Sequence, residues 1–128
     1  MEENVSDQLI KQRVRNQFIY YFELMSSEEE ILEYQRKAPI AYVAAEIFNH
    51  WDDFYRLDNL SYYSEPVFSK QEFLTLQEYS EVIEASSKEI NIREYSLPDL
   101  LKTNSIQNMI IKARKCLKIM EIRGKMDE

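Results

Sequence analysis

In 128 residues the chain contains a single glycine, Gly124, and only three prolines, Pro39, Pro66 and Pro98. Two-residue hairpins and phosphate-cradling loops both depend on glycine at positive φ, so a chain with one glycine near its end has almost no means of building either. Walker-type and dinucleotide-binding loops are excluded outright. What remains is helix, and the apolar residues repeat accordingly. Leu9, Ile10, Val14, Phe18, Tyr21, Phe22 and Met25 recur at steps of three and four, which predicts a helix from about Ser6 or Asp7 to Met25. On that helix Lys11, Arg13 and Arg15 fall off the stripe and are expected in water.

The same reading continues down the chain. Ser27 and Glu30 stand at capping-box spacing and open a second helix, which Pro39 ends near Ala38. A third helix, about Val43 to Tyr55, carries Val43, Ile47, Phe48, Trp51, Phe54 and Tyr55 on a broad apolar arc and is expected at the bundle centre. Residues 57–66 hold Asp, Asn, Ser and Pro without periodicity and read as an ordered loop. A second capping box, Ser69 with Glu72, opens a helix to about Ser86. Ser96 to Asp99, with Pro98 in the first turn, predicts one short helix through Lys102. The last helix, about Ser105 to Arg123, presents Ile106, Met109, Ile110, Ala113, Cys116, Leu117 and Met120 inward, with Gly124 as its terminating residue. Ile111, Ile119 and Ile122 lie off this stripe, so the helix is expected to be buried on two sides or to form a dimer contact. The expected fold is all-α, one domain of five to six helices.

With 45% apolar and 30% charged residues the sequence is neither of disordered nor of membrane type, and no apolar run approaches the ~20 residues that span a bilayer. The acidic first residues, MEENVSDQ, lack the order of a signal peptide, and a cytoplasmic protein is expected. Cys116, the one cysteine, reads as a small buried hydrophobe. The net charge of −7 is concentrated: residues 21–65 carry ten acids against three bases. The basic residues Lys112, Arg114, Lys115, Lys118, Arg123 and Lys125 sit on the last helix, where they read as its solvated side. A phosphate backbone rewards clustered bases, so nucleic acid is a disfavoured partner.

Catalysis is short of parts. The single histidine, His50, could join Glu46 and Asp53 on one face of the third helix and hold a divalent metal, but beside the only tryptophan it reads more readily as a packed residue. No catalytic residues and no cofactor are expected. The strongest candidate surface is the middle of the chain, where Asp52, Asp53, Asp58 and Glu65 lie among Tyr55, Tyr62 and Tyr63. Carboxylates pair with Lys and Arg, and tyrosines supply amphipathic contact area at low entropic cost, so this surface suits a basic protein partner.

The run Tyr34…Pro39-Ile40…Glu46-Ile47-x-Asn49-x-Trp51-x-Asp53, followed by Tyr63-Ser64-x-Pro66-x-Phe68, resembles bacterial immunity proteins. Those proteins protect a cell from its own or a sibling's toxin in contact-dependent growth inhibition and related polymorphic toxin systems. The Tyr62-Tyr63 pair flanked by acids is similar to the paired tyrosines with which immunity proteins of nuclease colicins hold their toxins. The resemblance implies neutralisation, by tight binding, of a cognate toxin C-terminal domain, a nuclease with a basic groove. Neither nucleic acid nor membrane is an expected partner, and the oligomeric state stays open. Two alternatives carry different chemistry: an acidic inhibitor or nucleic-acid mimic of a DNA-binding protein, and a small metal enzyme using Glu46, His50 and Asp53.

Overall fold

A computed structural model describes residues 6–128; the first five residues, on which part of the signal-peptide reading falls, lie outside it. Six α-helices follow one another: α1 (Asp7–Met25), α2 (Glu28–Lys37), α3 (Val43–Phe54), α4 (Lys70–Glu89), α5 (Leu97–Leu101) and α6 (Asn104–Glu121). Short 3-10 helices span Leu57–Tyr62, within the stretch expected as loop, and Ile92–Glu94. No strand occurs among the described residues, and none of their helices is long and apolar enough to cross a membrane.

Side-chain caps fix most of the helix starts. The hydroxyls of Ser6, Ser27, Ser69, Ser96 and Thr103 each accept a backbone N–H of the first turn, at 3.1–3.3 Å. Only at Ser69 is the box reciprocal, with Glu72 Oε1 accepting the Ser69 N–H at 2.8 Å. At the other end of the chain Gly124 takes φ +74° and donates its N–H to the Met120 carbonyl at 2.9 Å, closing the turn after α6. The Glu65–Pro66 peptide is cis.

The helix expected at the centre is not the central one. α1 packs against α2, α3 and α6, while α6 packs against α1, α4 and α5, and the most extensive pairing joins α4 to α6. α3 buries only Val43, Ala44, Ile47 and Trp51. It meets α4 chiefly through large aromatic side chains, the Trp51 and Tyr79 rings lying 4.7 Å apart, and this pair is not among the closely packed ones. Bulky rings hold the two backbones apart, which leaves a cleft along their seam.

Three expectations about exposure are corrected. Arg15 is fully buried, not in water: its guanidinium forms a bidentate pair with the buried carboxylate of Glu72 at 2.7 and 2.8 Å and reaches the carbonyls of Val67, Met120 and Gly124. Arg123 caps the same carboxylate from outside, Nη2 to Oε1 at 2.6 Å, instead of standing free on the solvated side of α6. Ile111 and Ile122 are 61% and 74% exposed, so α6 is not buried on two sides at those positions. Cys116 is buried as expected, with Thr75 Oγ1 3.3 Å from its sulfur, and burial raises its thiol above the ordinary value.

Candidate partner-binding surface

The acidic, tyrosine-bearing segment forms where α3 ends. Successive residues on a helix are rotated by about 100°, so Asp52 and Asp53 face different ways. Asp52 opens onto the cleft between α3 and α4, which has a volume of about 150 Å³ and is lined by Phe48, Trp51, Tyr55, Ser80, Ile83 and Glu84 among others. Asp53 opens onto a second concavity of about 300 Å³, shared with Asp58, Arg56, Phe54, Tyr62 and Tyr63. The site residues thus divide between two faces, and Glu65 lines neither.

The tyrosines do not stand outward as a group. Tyr55 and Tyr63 are 6% and 3% exposed, which corrects their expected role as surface anchors. They belong to a column of stacked rings: Trp51 on Tyr55 at 5.1 Å, Tyr55 on Tyr63 at 5.5 Å, and Tyr63 on Phe73 at 6.4 Å. Tyr63 also finishes α3. Its hydroxyl donates to the Phe54 carbonyl and accepts the Arg56 N–H at 2.7 Å, so it satisfies backbone groups that a helix end leaves unpaired. Burial drives the Tyr63 phenol up to about 12, with the Arg56 N–H opposing. Burial likewise raises Tyr55, assisted by the charge of Glu81 and opposed by a hydrogen bond with Ser80. Tyr62 is half-buried, edge-on to Tyr63 at 5.4 Å, with the Lys11 ammonium 5.0 Å from its ring centre.

Charge is distributed unevenly over the two faces. Asp58 has Arg56 at 3.6 Å and Glu65 has Arg123 at 3.9 Å, so each is partly countered by the chain's own bases. Asp52, Asp53 and Glu81 are exposed and form no ion pair among the described residues. Glu84, on the cleft, has Lys88 at 3.2 Å one turn along α4. α4 therefore contributes Glu84 to the rim of the cleft, and Glu81 to a neighbouring groove shared with Tyr55, Ser80 and Glu84. Both are exposed, three residues apart on one side of α4, a signal that the sequence offers but does not separate from ordinary helix solvation.

Glu46, His50 and Asp53 do not assemble into a metal centre. Glu46 Oε1 accepts the Tyr34 hydroxyl at 2.7 Å and lies 3.6 Å from His50 Nε2. Among the described residues no group of three His, Cys, Asp or Glu side chains is placed to hold a metal ion. His50 itself is half-buried beside Phe54, with ring centres 6.4 Å apart, instead of packed in the core. The chain matches no known protein family, no curated protein and no solved structure.

Proposed function

We propose that the protein binds and neutralises a basic protein partner, in the manner implied by its resemblance to immunity proteins. The partner is then a toxin C-terminal domain, a nuclease whose groove is lined with Lys and Arg. The observation that carries this reading is the set of carboxylates without an ion pair, Asp52 and Asp53 each on a concavity beside the aromatic column and Glu81 on a neighbouring groove that Tyr55 also lines. Such carboxylates compete with a phosphate backbone for the same cations. Their support is pre-ordered, so little entropy is lost when they are engaged.

The test is co-expression with the product of the gene immediately upstream, the position expected of a cognate toxin. The wild-type chain is expected to restore growth and to co-purify with that product, and the Asp52→Lys, Asp53→Lys, Glu81→Lys triple variant, helical by circular dichroism, is expected to do neither. Protection by the triple variant equal to that of the wild type would show that another face, or another function, is at work.

A further inference from the structure

Besides its apolar stripe, α1 carries a second row: Arg13, Asn16, Tyr20 and Glu23 stand at steps of three and four, which sets them along one side of the helix. Residues 124–128, which are not helical, lie along this row. The Lys125 ammonium is 3.8 Å from the centre of the Tyr20 ring and 3.4 Å from Glu23 Oε1. At the other end the Glu128 carboxylate accepts from Asn16 Nδ2 at 2.8 Å and lies 3.8 Å from Arg13 Nε. The segment is thus a strap running against the direction of α1, its lysine and its glutamate each met by the opposite charge.

Between the two ends the main chain itself is recognised. Asn16, 4% exposed, donates to the Met126 carbonyl at 2.7 Å and accepts the Met126 N–H at 2.8 Å, the two-point pairing that a residue in an antiparallel strand would offer. Arg15 Nε donates to the Gly124 carbonyl at 2.8 Å, and Met126 packs against the core. The charged contacts at the ends are partly exposed, and such pairs stabilise little. A segment held in this way opens at far lower cost than the helix beneath it. Once it opens, the Asn16 amide and Arg15 Nε lose their partners, and another segment of the same chemistry would satisfy them.

We infer that the Arg13–Asn16–Tyr20–Glu23 row is a peptide-binding site for a segment with lysine and glutamate three residues apart, occupied by the chain's own residues 125–128 as an exchangeable strap. Asn16 fixes the register through N–H and C=O groups that any peptide has, while Glu23 with Tyr20 and Arg13 select the charges at its two ends. The site is independent of the proposed function, since none of these four residues lines the α3–α4 cleft or the Asp53 concavity. Arg15 ties it to the interior instead, one guanidinium bonding both the Gly124 carbonyl and the Glu72 carboxylate.

Met126→Pro in the full chain removes the N–H that Asn16 accepts and so unseats the strap without deleting it. The readout is the pair of Asn16 side-chain amide protons in a ¹H–¹⁵N spectrum, and the probe is the blocked peptide acetyl-Gly-Lys-Met-Asp-Glu-amide. In the variant both protons should move to the positions of a free amide, and the peptide should return them to their wild-type positions. Half-saturation is expected at about 1–10 mM, the range in which a short tether presents its own ligand. The order-reversed peptide acetyl-Gly-Glu-Met-Asp-Lys-amide should need about tenfold more, the loss expected when like charges meet at both ends. A second full-chain variant, Lys125→Glu with Glu128→Lys, leaves the backbone intact and should respond to the first peptide in the same way. Asn16 signals that stay still in both variants, that ignore the peptide, or that respond equally to the reversed peptide overturn the inference. So does failure of both variants to fold, since the strap would then be a fixed part of the core.

Discussion

At Glu72 a carboxylate has been taken out of water and surrounded by donors. Burial alone would raise its titration; hydrogen bonds from Arg15, Arg123 and the Ser69 N–H overcome this and hold it down at about 2. The folded value lies below the ordinary 4.5, so the stability it contributes is complete above pH 4.5 and is lost as the pH falls towards 2. Glu72→Gln leaves Arg15 buried opposite a neutral amide, and breaking a buried pair in this way costs about 3–5 kcal/mol. Urea unfolding at pH 7 should show that loss, and between pH 4.5 and 2 the variant should lose stability less steeply than the wild type. Equal midpoints at pH 7 would mean that the pair is not a structural lock. The sequence shows Glu72 as a capping residue, which it is. Its second role was not legible, because Arg15 lies off the apolar stripe of α1 and nothing local marks a charged residue as paired across 57 positions.

The end of α3 is an element whose chemistry the sequence half displays. Periodicity places Trp51 and the helix around it, but Tyr62 and Tyr63 stand in a stretch without periodicity, where composition alone suggests exposure. The structure turns them differently: Tyr63 packs under α3, donates to the Phe54 carbonyl and accepts the Arg56 N–H, and Tyr62 lies edge-on against it. Tyr63→Phe should therefore lower stability by about 1–3 kcal/mol, the cost of stranding the Phe54 carbonyl and Arg56 N–H, while leaving partner affinity within twofold. Thermal unfolding and a binding titration, read side by side, check this; a large affinity loss without destabilisation would restore Tyr63 to the contact surface. The end of α6 was more fully legible. Gly124 was expected as the terminating residue, and at φ +74° a Cβ would meet nothing closer than the Glu121 carbonyl at 4.0 Å. Strain in φ alone then sets the cost of Gly124→Ala at about 1 kcal/mol, measurable by chemical denaturation.

Across the whole molecule the six helices were legible because periodicity, the start signals at Ser27, Ser69 and Ser96 and the scarcity of glycine agree with one another; the caps at Ser6 and Thr103 emerge only in the structure. Packing order was not, since an apolar arc says that a helix is covered and not by what; α1 and α6 hold the interior, and α3 is left at one side with a cleft along it. That position makes the acidic face available. If the carboxylates of Asp52, Asp53, Glu81 and Glu84 meet a basic protein, opposite fields steer the encounter and salt screens them. The measurement that bears most directly on this is the association rate of the purified chain with the basic protein domain it captures, between 50 and 500 mM salt. The account predicts a fall of about tenfold or more over that range, with the dissociation rate far less affected. An association rate indifferent to salt, or no association at all, would contradict it.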